Sequence, residues 1–326
     1  MSEERFFVTG ALGCLGAWVV RNLIQDGIPV TVYDLGSSTH RLKLIMSDDE
    51  VARINFVNGD ITDLEELEKA MQNADVTNVI HLAALQVPFC RANPPLGARV
   101  NVVGTVNLFE AAKHLELKHI AYASSVAVYG RGDEYDDRII SNDAAQMPRN
   151  LYGVYKLANE GTAYIYHQDN GINSIGLRPY TVYGPGRDQG MTSTPTKAML
   201  AAAAGKPYHI SFGGYNGFQY VDDVAKIFIQ AARASYDGAS VFNLGGSVAH
   251  VREVVEAIDA AAPEMAGQIT FEDQPLALPD GTDDNALVAA IGAVHTTPLK
   301  EGVAATIRHF KQALADDKVS LEQLSS

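Results

Sequence analysis

Cysteine is nearly missing from this chain: two residues, Cys14 and Cys90, in 326. Two thiols give no disulfide framework, and neither sits in a metal-ligand spacing, so no metal is expected. Positive charge is also scarce, with 25 Lys and Arg against 39 Asp and Glu and a net charge of -14. Nucleic acid and acidic membrane surfaces both demand clustered Lys and Arg, so neither is an expected partner. No apolar run reaches the ~20 residues of a membrane helix. The opening MSEERFF is acidic and runs straight into a strand, unlike a signal peptide. A cytoplasmic location is the expectation. There is no internal repeat and no low-complexity linker.

What is present is a core-forming composition, 47% hydrophobic and 20% charged. At this length one large domain with a smaller lobe is the natural organisation. Apolar strands alternate with helical patterns through the first half: 6–9, 29–34, 53–57, 76–82, 119–123 and 172–177 read as strands. Helices are expected at about 15–26, 40–51, 63–73, 95–114 and 151–171. Such alternation predicts an α/β fold, a Rossmann-type doubly wound parallel sheet with helices on both faces. The second half is less regular. Residues 180–190 and 274–284 read as loops, and helices near 196–204, 220, 251–262 and 301–315 surround a strand at 240–244. We expect a dinucleotide-binding domain over 1–180 and 218–245, and a smaller mixed substrate-binding lobe over 181–217 and 246–326. The polar tail after Ala315 is expected to fray.

The first thirty-four residues are the most informative. Strand Phe6–Thr9 leads into TGALGCLG, then a helix, then a second strand ending on Asp34. This order is the context a dinucleotide site requires. Gly10 permits a tight turn, Gly13 lets the backbone approach a pyrophosphate, and Gly16 lets helix pack on strand. The helix N-terminus offers N–H groups and a positive dipole end to the phosphates. Asp34 can accept from both ribose hydroxyls and would repel a 2′-phosphate, so the cofactor reads as NAD; Arg41, seven positions on, is the residue that would suit NADP. Cys14 reads as a small filler of the turn.

Three further clusters fall at strand ends on the same side: His81-Leu82-Ala83-Ala84, Ser124-Ser125 with Val128-Tyr129-Gly130, and Tyr152 with Lys156. The last pair, four apart, shares one helix face. Together with Gly59-Asp60, Asn101 with Gly104-Thr105, RPYTVYGPG at 178–186 and YVDDV at 220–224, these motifs make the chain similar to the extended short-chain dehydrogenase/reductases of the NAD-dependent epimerase/dehydratase family. The resemblance spans about Phe6 to Val224. It implies a Ser-Tyr-Lys site. Tyr152 would be the general base or acid, helped toward tyrosinate by the Lys156 charge. Lys156 would also hold the nicotinamide ribose, and Ser125 would orient the reacting oxygen. The cofactor groove would comprise Gly10, Gly13, Cys14, Leu15, Gly16, Asp34, Asp60, Ile61, Leu82, Ala83, Ala84, Tyr152, Lys156 and Tyr180. Ser124 and Asn101 read as internal braces, and His81, Tyr129 and Tyr183 as packing residues. Asp222 and Asp223 read as a helix cap and a brace between lobes.

The chain departs from the family's pattern in three places. Val126 and Ala127 stand where 4,6-dehydratases carry an acidic pair, which argues against water elimination. Asn216 stands where nucleotide-sugar epimerases carry a diphosphate-binding arginine. Thr181 replaces a common asparagine, and Tyr155 a small residue; Tyr155 reads as tighter helix packing. The expected reaction is hydride transfer to or from a secondary alcohol or ketone of a small sugar, sugar acid or polyol. Gln86, Phe89, Arg91, Ser125, Thr181 and Arg187 are the pocket candidates, since an arginine suits a carboxylate or phosphate. A sugar epimerase that retains its NAD is the second reading, and a non-catalytic cofactor sensor the third. The resemblance also implies a homodimer through the helices at 95–114 and 151–170.

Overall fold

Seven strands form one all-parallel sheet in the computed structural model, which describes residues 4–324. Met1 to Glu3 of the acidic start lie outside them. In spatial order the strands are Ala239–Asn243, Asn173–Arg178, His119–Ala123, Asn78–His81, Phe6–Thr9, Val30–Asp34 and Asn55–Asn58. Phe6 pairs with Val30 on one side and Asn78 on the other. The chain therefore reverses its lateral progress between Phe6–Thr9 and Asn78–His81. At such a switch the outgoing loops part and leave a crevice at the C-terminal strand ends.

The apolar residues of Phe6–Thr9 are buried because helices cover both faces. Phe6 and Val8 enter one apolar layer with Trp18, Val19 and Val224; Phe7 enters the other with Leu67, Leu108 and Phe109. Helices Cys14–Gln25 and Val221–Arg233 supply the first layer, and Leu64–Asn73, Gly104–His114 and Leu151–Asn170 the second. Leu151–Asn170 starts where Asn150 accepts from the Gly153 N–H at 2.9 Å. It stops at Gly171, whose φ of 64° gives the left-handed cap expected of glycine.

The helix expected over 40–51 is two helices, His40–Ile45 and Asp48–Val51, because Ser47 and Glu50 form a capping box that restarts the chain. The helix expected over 95–114 runs without interruption from Pro94 to His114, with its middle residues Arg99–Val103 wound as a π-helix, and a separate short helix, Val87–Ala92, precedes it. The residues read as loops also hold strands. Thr181–Tyr183 and Ser247–His250 flank Tyr215–Tyr220 in a three-stranded sheet, and Gly281–Thr282 pairs with Ile139–Ile140. Asp222 and Asp223 make no side-chain cap; Asp222 accepts from Asn22 and pairs with Lys226, while Asp223 accepts from Thr297. Beyond Ala315 the chain forms one further 3₁₀ turn, Leu321–Leu324.

Candidate active site

A cleft of about 840 Å³ follows the C-terminal ends of the strands, within the ~300–1,000 Å³ usual for ligand sites. At one end lies the glycine turn. Gly10 has φ 67°, and a Cβ there would lie 2.5 Å from the Ala83 nitrogen. Glycine is required on both counts. No side chain caps the helix that begins at Cys14, so its first N–H groups stay available to an anion. Asp34 closes the turn: one carboxylate oxygen accepts from the Leu12 N–H at 3.0 Å, the other from Gly36 at 2.9 Å. Each oxygen keeps a lone pair for a ribose hydroxyl. Burial pushes the Cys14 thiol up to about 12, so it is an unreactive filler. Leu15, Gly16, Asp60, Ile61, Leu82, Ala83, Ala84 and Tyr180 all line this cleft, as sequence predicts.

Midway along the cleft the second strand-end cluster meets the long helix. Gly153 makes this possible. A Cβ on it would fall 2.0 Å from the Ala127 carbonyl oxygen, so only glycine lets the helix come this close. Tyr152 is thereby brought beside Ser125 on the cleft wall. Lys156 lies one turn on, with Nζ 5.8 Å from the Tyr152 ring centre and donating to the Ala123 carbonyl at 2.6 Å. Burial raises the Tyr152 pKa, opposed by the neighbouring Ser125 hydroxyl and the Arg187 charge. Burial lowers Lys156 to about 8, opposed by Cys90 and Glu160. The ammonium is still the main form at pH 7.

Two polar networks back this site. Thr105 donates to the Asn101 carbonyl at 2.8 Å, so its oxygen accepts from His81 Nε2 at 3.1 Å, while His81 Nδ1 accepts from Thr9 at 2.7 Å. This fixes the tautomer. Burial holds His81 neutral, near 3, which makes it a strand-to-strand brace. Asn101, turned inward by the π-turn, clamps Leu85 through both N–H and C=O at 2.7 and 2.9 Å. On the other side Glu160 extends the Tyr152–Lys156 helix face by one more turn. It accepts from Ser124 at 2.5 Å and from Arg178 Nε and Nη2 at 2.9 and 2.7 Å. Arg178 also donates to Tyr129 at 2.6 Å. Tyr155 has a clear role: its hydroxyl donates to the Pro94 carbonyl at 3.0 Å and ties the start of the Pro94–His114 helix to the Tyr152–Lys156 helix.

Gln86, Phe89, Ser125, Thr181 and Arg187 line the same cleft. The Thr181 hydroxyl and Arg187 Nε are both buried without a protein partner. Arg91 must be removed from the set. It is exposed and does not line the cleft, because it lies about 200° round the helix from Phe89. Sequence missed Arg149, Asn150, Met191, Thr192 and the apolar segment Leu276 to Leu278, which all line the cleft. The Asn150 position before an amphipathic helix could have been found as an N-cap. Asn216 is fully buried and lies outside the cleft wall. Among the described residues, no group of His, Cys, Asp or Glu is placed to hold a metal, and no helix is long and apolar enough to cross a membrane.

This fold and site define an extended short-chain dehydrogenase/reductase, and the chain belongs to the NAD dependent epimerase/dehydratase family, whose pattern matches residues 6–245. It is 29% identical to a UDP-glucose 4-epimerase of Mycolicibacterium smegmatis, covering 94% of this chain and 98% of that protein. It is 34% identical to UDP-glucuronate 4-epimerase 4 of Arabidopsis thaliana over 67% of this chain and 52% of that protein. Among solved structures, the UDP-glucose 4-epimerase of Thermus thermophilus in complex with NAD superposes with a TM-score of 0.81 at 26% identity, over 95% of this chain and 99% of that one. In the present chain the glycine turn, the uncapped helix start and the Asp34 carboxylate fit the NAD on which the family depends.

Proposed function

We propose that this enzyme oxidises a secondary alcohol, or reduces the matching ketone, on a small sugar, sugar acid or polyol. The observation that carries this is that Ser125, Tyr152 and Lys156 line one cleft at the switch crevice, with the Lys156 ammonium 5.8 Å from the Tyr152 ring centre. Bound NAD supplies the hydride acceptor or donor. Ser125 orients the substrate oxygen. Tyr152 takes or returns its proton, and the nearby Lys156 ammonium favours the tyrosinate. Lys156 also reaches toward the ribose while anchored on Ala123. Arg187 lines the cleft and its charge would suit a substrate carboxylate, which favours a sugar acid. Asn216, buried and uncharged, offers nothing to a nucleoside diphosphate, which supports a smaller substrate than the relatives' UDP-sugars.

The division of labour follows: residues 1–180 and 218–245 hold the cofactor, and 181–217 with 246–326 shape the substrate. A cytoplasmic location goes with two free thiols. Val154, Tyr164 and Ile165 are exposed on the long helix, as are Leu96 and Val103 beside it. They support a homodimer through these helices, and light scattering at the single-chain mass of 35.0 kDa would refute it.

The test is absorbance at 340 nm with NAD and free uronates, aldoses and polyols, beside UDP-glucose and UDP-glucuronate. NADH accumulation with a free sugar acid is the expected result. Interconversion of a UDP-sugar without net NADH would instead establish the epimerase reading. Tyr152→Phe should lower turnover at least ~100-fold and spare NAD binding; unchanged turnover removes Tyr152 from the chemistry.

A further inference from the structure

The loop that carries Arg187 is fastened across the cofactor groove. It leaves the strand Thr181–Tyr183 and turns at Gly184, whose carbonyl accepts from the Arg187 N–H at 3.1 Å. Pro185 accepts from the Trp18 indole at 2.8 Å, on the helix that begins at the glycine turn. Gly186 then passes close over Cys14; a Cβ there would be only 3.8 Å from its sulfur. Asp188 completes the crossing. One carboxylate oxygen accepts from Arg41 Nε and Nη2 at 3.1 and 2.7 Å, and the other contacts His40 Nε2 at 3.1 Å. The third guanidinium nitrogen, Nη1, donates to the Leu12 carbonyl of the glycine turn at 2.9 Å. Every nitrogen of Arg41 is thereby spent on joining the two loops. The Arg41 and Asp188 side chains are only 13% and 12% exposed, so water screens the pair weakly.

We propose that the Arg41–Asp188 pair is a clasp that sets how long NAD stays bound. The reasoning rests on the NAD reading of the groove. Phosphates at the start of the Cys14 helix lie under Gly186, and the charges of Arg187, Arg41 and Asp188 all bear on Cys14 in that first turn. Asp188 would repel a pyrophosphate if it stood alone. Arg41 neutralises it and turns it into an anchor. A dinucleotide leaving sideways must lift the 184–188 loop, which requires the bidentate pair to part. The clasp touches neither Tyr152 nor Ser125, so it acts on cofactor release rather than on the proton transfer. A protein so fastened releases its reduced cofactor slowly after each turnover.

The test uses NADH as the probe on the full chain. Release is followed by stopped-flow fluorescence after mixing the NADH complex with excess NAD. Asp188→Asn keeps the shape and drops the charge, and should raise the dissociation rate ~10- to 100-fold while the association rate moves by less than ~3-fold. Arg41→Met should match it, and the double variant should add little to either single one. Full additivity, or unchanged release from a variant that still binds NADH, overturns the clasp alone. Failure of the unaltered chain to bind NADH overturns the clasp and the cofactor reading together.

Discussion

Adding a single methyl at Gly153 should disable the active site without touching a reactive group. A Cβ at this position would sit 2.0 Å from the Ala127 carbonyl oxygen, 2.9 Å from its carbon and 3.0 Å from Pro148 Cβ. Cβ atoms are essentially never found within 3.0 Å of a neighbour, so the helix start must retreat by about 1 Å. Ala127 lies two residues from Ser125 and Gly153 is next to Tyr152, so the retreat moves Tyr152 away from Ser125. A displacement of ~1 Å costs on the order of 100-fold in rate, or about 2.7 kcal/mol of barrier. Overpacking adds a stability cost of about 1–3 kcal/mol, seen as a fall of a few degrees in melting temperature. Gly161→Ala, on the same helix, is the control. A Cβ there meets nothing within 4 Å, and the change should stabilise by about 0.5–1 kcal/mol with unchanged kcat. The assay is kcat and KM by NADH absorbance, with a melt of each variant. A Gly153→Ala enzyme within threefold of the original turnover would refute the close-approach argument.

Glu160→Gln should be costly because it leaves the Arg178 guanidinium buried and uncompensated. Breaking such a pair costs about 3–5 kcal/mol, and the double variant Glu160→Gln with Arg178→Met should melt higher than the single one. Lys156 should titrate near pH 8 in the NAD-free chain, followed by NMR of ε-labelled lysine; a midpoint near its usual 10.5 would sink the burial argument. Because its folded pKa lies below the unfolded one, the folded chain binds fewer protons between about 8 and 10.5, so this group's penalty is full below pH 8 and is relieved as pH rises through that window.

The central sheet was legible because its signals are local. Phe6–Thr9 and His119–Ala123 are short apolar runs bounded by turn residues, and their ends need no distant partner to be recognised. Asn101 and Tyr155 show the opposite case. The long helix over 95–114 is continuous, but nothing in its own sequence announces the π-turn inside it; that turn goes with Asn101 finding Leu85 across the fold. Thr181–Tyr183 lies in a stretch rich in Gly, Pro and Tyr that reads as a loop, yet it becomes a strand by pairing with Tyr215–Tyr220. The Ser125, Tyr152 and Lys156 positions were readable from spacing. The direction in which Arg91 points was not, since loop 82–86 sets the phase of its helix.

The strand Asn173–Arg178 and the strand Ala239–Asn243 lie side by side, yet sixty residues separate them in the chain. That whole excursion, with Thr181, Arg187, Asp188 and Asn216 on it, departs from one rail of the sheet and returns on the adjacent rail. Apart from Val221–Arg233, which covers the sheet, and the 184–188 loop tied to the glycine turn, it can be lengthened, shortened or rewritten without disturbing the order of any other strand. A scaffold wired this way can trade what it recognises while keeping the strands that carry its redox hardware.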